Sequence, residues 1–116
     1  MNTPLRIDER ESGDVHVVAL DGDLDLGTAP DLASRIDRAR RDGMRRILVD
    51  MRRLDFCDST GLRALVGAAR EVGIAGGRLS IVCPGDGPVA RVLDLSGLRE
   101  VLHVSDEVGR ATAYLQ

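Results

Sequence analysis

The sequence contains no lysine and no tryptophan, and Phe56 and Tyr114 are its only phenyl-type side chains. Two such rings do not make the stacking platform that single-stranded nucleic acid requires. A formal net charge of -3 leaves no basic footprint for a duplex. Cysteine is scarce as well. Cys57 and Cys83 stand alone, with no C-x-x-C pair and no histidine beside them, so the ligand spacing of a zinc site is missing and two buried, reduced thiols are expected. No apolar run approaches the ~18 residues of a spanning helix. Arg6, Asp8, Glu9, Arg10 and Glu11 interrupt residues 1–20, which excludes a signal-peptide pattern. The expectation is a cytoplasmic protein without membrane or nucleic-acid contact. Phosphate-cradling and dinucleotide-binding glycine motifs are also absent, so no cofactor is expected. Cys57-Asp58 precedes Ser59, where a hydrolase elbow needs G-x-S-x-G. His16 and His103, the only imidazoles, flank no Ser or Cys nucleophile. Catalysis is not expected of this chain.

What is present suffices for one core. The 116 residues are 43% hydrophobic, mostly 15 Leu, 12 Val and 5 Ile, and read as a single domain over residues 1–116. Residues 5–11 and 15–20 are extended runs separated by Ser12-Gly13-Asp14, a hairpin turn. Thr28 caps a helix with Pro30 in its first turn and Leu32, Ala33, Ile36 and Ala39 at helical spacing, ending at Gly43. Ile47-Leu48-Val49 reads as a strand buried on both faces. After the segment 54–57 a second helix runs to about Ile74, with the stripe Leu62, Leu65, Val66, Ala69 and Val72, and stops at Gly76-Gly77. Residues 79–83 form the next strand, 89–95 a short helix broken at Ser96-Gly97, and 101–104 a last strand. Ser105 or Asp106 then opens a C-terminal helix to Leu115. This alternation predicts an α/β fold, an open mixed sheet of about five strands, mostly parallel with an antiparallel N-terminal edge, packed with about four helices.

Two segments carry chemistry-bearing side chains. Residues 21–25, Asp21-Gly22-Asp23-Leu24-Asp25, read as a tight acidic turn between a strand and a helix. An EF-hand reading fails, because Leu26 and Leu32 stand where the glycine and the twelfth-position carboxylate belong. A small acid-loop phosphatase using Asp21 and Asp23 would also need Mg²⁺ ligands and a lysine-type cation. The second segment is Asp58-Ser59-Thr60-Gly61-Leu62. Any of Asp58, Ser59 and Thr60 suits an N-cap, but Leu62 and Arg63 leave a capping box on Ser59 or Thr60 incomplete. A phosphate on either hydroxyl would be well tolerated at a helix N-terminus.

Three stretches together carry a family resemblance: residues 20–25 with Thr28-Ala29, residues 54–62, and Val92-Leu93-Asp94-Leu95-Ser96-Gly97-Leu98. In order and spacing the chain resembles the STAS-domain anti-sigma factor antagonists over nearly its whole length, with residues 54–62 the most specific part. The resemblance implies a partner-switching regulator. Ser59 would be phosphorylated by an anti-sigma factor that is also a serine kinase and that supplies ATP and Mg²⁺. Unphosphorylated antagonist would capture that protein and free the sigma factor, and a PP2C-type phosphatase would reset the switch. Asp25 would lie beside the phosphorylatable loop, with Asp23 a weaker carry-over. The implied docking surface comprises Asp23, Asp25, Asp58, Ser59, Thr60, Gly61, Arg63 and Gly67. Cys57 replaces the methionine common in the family, and Arg63 replaces a common glycine, placing a cation near the phosphosite. The outward face of the second helix, with Arg63, Ala64, Gly67, Ala68 and Arg70, has small residues that admit a partner helix. A stressosome or lipid-transport component with the same domain is the alternative reading.

Overall fold

The computed structural model describes residues 3–116; Met1 and Asn2, the first residues of the expected domain span, lie outside the described residues. The element order is β1 (Arg6–Ser12), β2 (Val15–Leu24), α1 (Ala29–Arg41), β3 (Arg46–Cys57), α2 (Ser59–Ile74), β4 (Arg78–Val82), α3 (Pro88–Ser96), β5 (Val104–Ser105) and α4 (Val108–Leu115). The strands form one sheet in the order β1-β2-β3-β4-β5, antiparallel between β1 and β2 and parallel thereafter. This is the mixed five-stranded sheet with four helices that the sequence predicts.

The topology explains where the helices lie. Each parallel crossover moves one strand in the same direction, and right-handed connections of that kind deliver their helices to one face. Leu32 and Ile36 of α1, Leu62 and Leu65 of α2, and Ala90 and Leu93 of α3 accordingly share one core with Val18, Leu20, Val49 and Ile81 of the sheet. The other face is covered only in part, by Ala111 and Leu115 of α4 over Val15, Val17, Leu48 and Val82. Arg46 Nε and Arg78 Nη1 donate to the carbonyls of Leu115 (2.8 Å) and Tyr114 (2.9 Å), tying down the last turn of α4 with cations where helix C-termini favour them. The uncovered remainder is a charged trough that includes Arg6, Asp8, Arg10, Asp21 and Arg53. Within it the Asp50 carboxylate accepts from Arg52 Nε at 3.0 Å and Nη2 at 2.7 Å.

Four boundaries differ from expectation. β3 is one strand rather than the separate segments 47–49 and 54–57. Its register with β2 shifts twice, from Ala19↔Asp50 to Asp21↔Arg53 and from Gly22↔Leu54 to Asp23↔Phe56. Each shift inserts an extra residue in β3, as bulges do, so the exposed pair Arg52-Arg53 interrupts the apolar pattern without ending the strand. Residues 21–23 are likewise the end of β2 and not a turn. Gly22 has φ +113°, and a Cβ there would stand 2.1 Å from the Pro4 carbonyl oxygen, so the glycine admits the crossing N-terminal segment. The last strand is only Val104–Ser105. Residues 101–103 form turns instead, closed by Leu102 N–H to Leu98 O, His103 N–H to Glu100 O and Val104 N–H to Arg99 O. Finally, α4 is preceded by Glu107, whose side chain makes no capping bond, rather than by Ser105 or Asp106.

Candidate functional site

The C-terminal ends of β2 and β3 lie side by side, with Leu24 paired to Cys57, and the loops that follow them form one surface. Asp58 leaves β3 in an extended conformation and is the N-cap of α2; its Oδ1 accepts from the Gly61 N–H at 2.9 Å. Its backbone N–H donates to the Leu24 carbonyl at 3.2 Å, and its carbonyl accepts from the Leu62 N–H at 3.0 Å. The aspartate thus fastens the start of α2 to the end of β2. Of the three capping candidates, Asp58 takes the role, and the hydroxyls are left free of it. Ser59, the first residue of the helix, is exposed, and Thr60 is half-buried. Among the described residues neither hydroxyl has a hydrogen-bond partner.

Gly61 is buried, and its missing side chain is what lets the first turn of α2 sit so low. A Cβ there would stand 2.8 Å from both Leu24 Cγ and the Leu24 carbonyl oxygen and 3.1 Å from Cys57 Sγ. Cys57 and Cys83 are both free and buried. Burial, with the neighbouring Asp58 charge and Cys83 adding to it, pushes the Cys57 thiol up to about 12, so it is a packing group rather than a nucleophile.

Asp23 and Asp25 are each only 8% exposed. Asp23 Oδ2 accepts from the Thr3 N–H at 2.8 Å, while Asp21 faces the charged trough on the open side of the sheet. These two aspartates therefore belong to different surroundings, and among the described residues no cluster of His, Cys, Asp or Glu is placed to hold a metal ion. Asp25 Oδ1 accepts from the N–H groups of Gly27 (3.0 Å) and Thr28 (3.2 Å). Thr28 sits at the N-cap of α1, yet its hydroxyl makes no helix cap. It accepts from the Asp25 N–H at 2.9 Å and donates to the Asp23 carbonyl at 2.8 Å. Threonine and aspartate here order the loop rather than the helix.

On α2, Arg63, Gly67 and Arg70 are exposed, whereas Ala64 and Ala68 are half-buried. Those alanines line a groove of about 680 Å³ between α1 and α2, with Pro30, Ala33 and Ile36 opposite. The outward face is therefore narrower than the five residues that helical spacing suggests. Neither histidine approaches Ser59 from a catalytic position: His16 Nε2 pairs with Glu9 at 2.9 Å, and His103 stacks on Tyr114 at 3.8 Å between ring centres. Sequence reasoning overlooks two exposed apolar residues near the loop that carries Ser59, Leu26 at 72% and Phe56 at 47%. Leu26 was discoverable: it lies between the last inward residue of β2 and the first of α1, with no place in either apolar pattern.

Residues 6–111 match the STAS domain family, the class to which this sheet and its loop point. An anti-sigma F factor antagonist of Paenibacillus polymyxa is 31% identical over 113 residues, 97% of this chain and 96% of that protein. The chain belongs to the STAS-domain anti-sigma factor antagonists. Among solved structures, an anti-sigma factor antagonist from Mycobacterium paratuberculosis has the same fold, with a TM-score of 0.85 at 23% identity over 97% of this chain and 94% of that one. The anti-sigma factor antagonist SpoIIAA in its unphosphorylated form has a TM-score of 0.72 at 26% identity, covering 90% of each chain. The phosphorylated form of Bacillus SpoIIAA has a TM-score of 0.67 at 23% identity, covering 97% of this chain and all 100% of that one. Among the described residues no helix is long and apolar enough to cross a membrane.

Proposed function

We propose that this antagonist is a phosphorylation-controlled binding module whose switch residue is Ser59. In its unphosphorylated form it binds an anti-sigma factor that is also a serine kinase, and the sigma factor is released. The observation that supports this most is the Ser59 hydroxyl itself, exposed at the first position of α2 and without a hydrogen-bond partner among the described residues. Neither histidine is placed beside it, so in this reading the partner supplies the base together with Mg²⁺ and ATP. The Ser59 oxygen attacks the γ-phosphorus, ADP departs, and the hydroxyl proton passes to the kinase base. The product adds roughly -1.5 to -2 charges beside Asp58. The helix N-terminus accommodates that charge within the fold. A partner surface pressed against the loop is instead repelled and desolvates the phosphate at a cost. Docking is lost without a change of fold, and a PP2C-type phosphatase that hydrolyses the phosphoserine restores it.

Asp58, Thr60, Arg63 and Gly67 complete the docking surface in this reading, with Asp23, Asp25 and Gly61 shaping it from beneath. The purified chain, incubated alone with Mg-ATP, is expected to remain unlabelled; stoichiometric self-phosphorylation would overturn the division of roles. A Ser59→Ala chain used as bait in the native host is expected to retain a small ATPase-fold serine kinase, identified by mass spectrometry. Recovery of a transporter ATPase or a large multi-domain assembly in its place would favour a lipid-transport or stressosome component.

A further inference from the structure

The β2–α1 loop holds out a leucine that the fold does not use. Leu26 lies two residues beyond Leu24, the last buried residue of β2, and it is 72% exposed. A solitary exposed leucine is ordinary; its backbone setting is not. Asp25 Oδ1 receives the N–H groups of Gly27 and Thr28. The Asp25 carbonyl receives those of Thr28 at 3.2 Å and Ala29 at 2.8 Å. The Thr28 hydroxyl closes the loop from below by accepting from Asp25 N–H. Leu26 thus stands at the tip of a turn bonded on both sides. The same loop is joined to the phosphosite through the Asp58 N–H to Leu24 O bond, and through the contact that Gly61 leaves open against Leu24.

Resting on the reading of Ser59 as the switch, we propose that Leu26 is the apolar anchor that selects the anti-sigma factor, seated in an apolar pocket of that protein. Asp25 is its positioning residue. An interface of ordinary size covers about 800 Å² on each partner. One centred on Ser59 therefore takes in the adjoining loop. Binding energy concentrates in a few anchors, and an anchor held in place before docking loses little freedom on binding. The Asp25 carboxylate is buried and its Oδ1 is already bonded within the loop, so its influence on docking passes through the shape of the turn rather than through its charge.

The substitutions separate these roles. Binding of the full chain to the anti-sigma factor identified in the bait experiment is measured by calorimetry, with circular dichroism to establish folding of each variant. Leu26→Ser is expected to weaken binding about tenfold or more, and Leu26→Met to stay within about threefold. Asp25→Asn keeps an Oδ1 acceptor for both N–H groups and is expected to stay within about threefold, while Asp25→Ala, which removes it, loses about tenfold. Unchanged binding by Leu26→Ser would overturn the anchor. Asp25→Asn falling as far as Asp25→Ala would overturn the positioning role and make the charge a direct contact. Phosphorylated wild-type chain is measured alongside: if phosphate leaves affinity unchanged, the switch reading fails while the Leu26 and Asp25 results are read independently.

Discussion

Ser59→Asp is expected to fold like the parent and to bind the anti-sigma factor at least about tenfold more weakly, a loss of about 1.4 kcal/mol. Ser59→Ala is expected to bind constitutively and to accept no phosphate. Neither change is expected to disturb the fold, because the Ser59 side chain is exposed and carries no hydrogen bond among the described residues. Exposed substitutions of this kind fall within about 0.5 kcal/mol, and a carboxylate in the first turn of α2 gains about 0.3–1 kcal/mol from the helix terminus. Stability and binding therefore move in opposite directions for Ser59→Asp. That divergence is the signature of a surface switch: a charge welcome to the chain itself is unwelcome to the partner, next to an Asp58 already present. Thermal melts and calorimetric titration of the two variants check it. Equal affinity of the Asp and Ala variants would remove the electrostatic basis of the switch.

Gly61→Val is expected to produce the largest stability loss at the site, about 2–3 kcal/mol, read as a melting temperature about 10 °C lower. The added side chain meets the Leu24 carbonyl oxygen at 2.8 Å from its Cβ. Backbone at that distance does not swing aside as a flexible side chain does, so α2 must lift from the end of β2. Gly67→Ala is the control on the same helix. Nothing lies within 4 Å of a Cβ at Gly67, and replacing a helical glycine by alanine gains up to about 1 kcal/mol. Its melting temperature is expected to rise by a few degrees. Loss of stability at Gly67, or none at Gly61, would contradict the account of how the first turn of α2 is seated.

The residues that govern these results differ in how visible they are in the sequence. Strands and helices were legible wherever apolar spacing was regular, as in Leu62, Leu65 and Val72, which are all buried along α2. The motif around Ser59 was legible because residue types there follow a family pattern. What the pattern hides is mostly tertiary. Arg52-Arg53 looks like the end of a strand, but two bulges carry β3 through it. Asp21-Gly22-Asp23 has turn composition and nevertheless continues β2, since Gly22 yields its Cβ space to Pro4. Asp25 resembles an exposed acid and is instead spent on Gly27 and Thr28. The first two depend on a neighbour that spacing along the chain does not reveal, whereas the Asp25 bonds are local, to residues two and three further on.

Both Ser59 and Thr60 offer a hydroxyl at the start of α2, and the proposed switch requires the phosphate on Ser59. Asp58 already provides the cap through Gly61, and Thr60→Ala removes no hydrogen bond among the described residues. Kinase labelling is therefore expected to survive Thr60→Ala and to vanish in Ser59→Ala. Fragmentation mass spectrometry of the wild-type chain after incubation with Mg-ATP and the serine kinase recovered in the bait experiment decides the matter. The predicted result is a single phosphate on Ser59; a phosphate on Thr60 with Ser59 unmodified would contradict it.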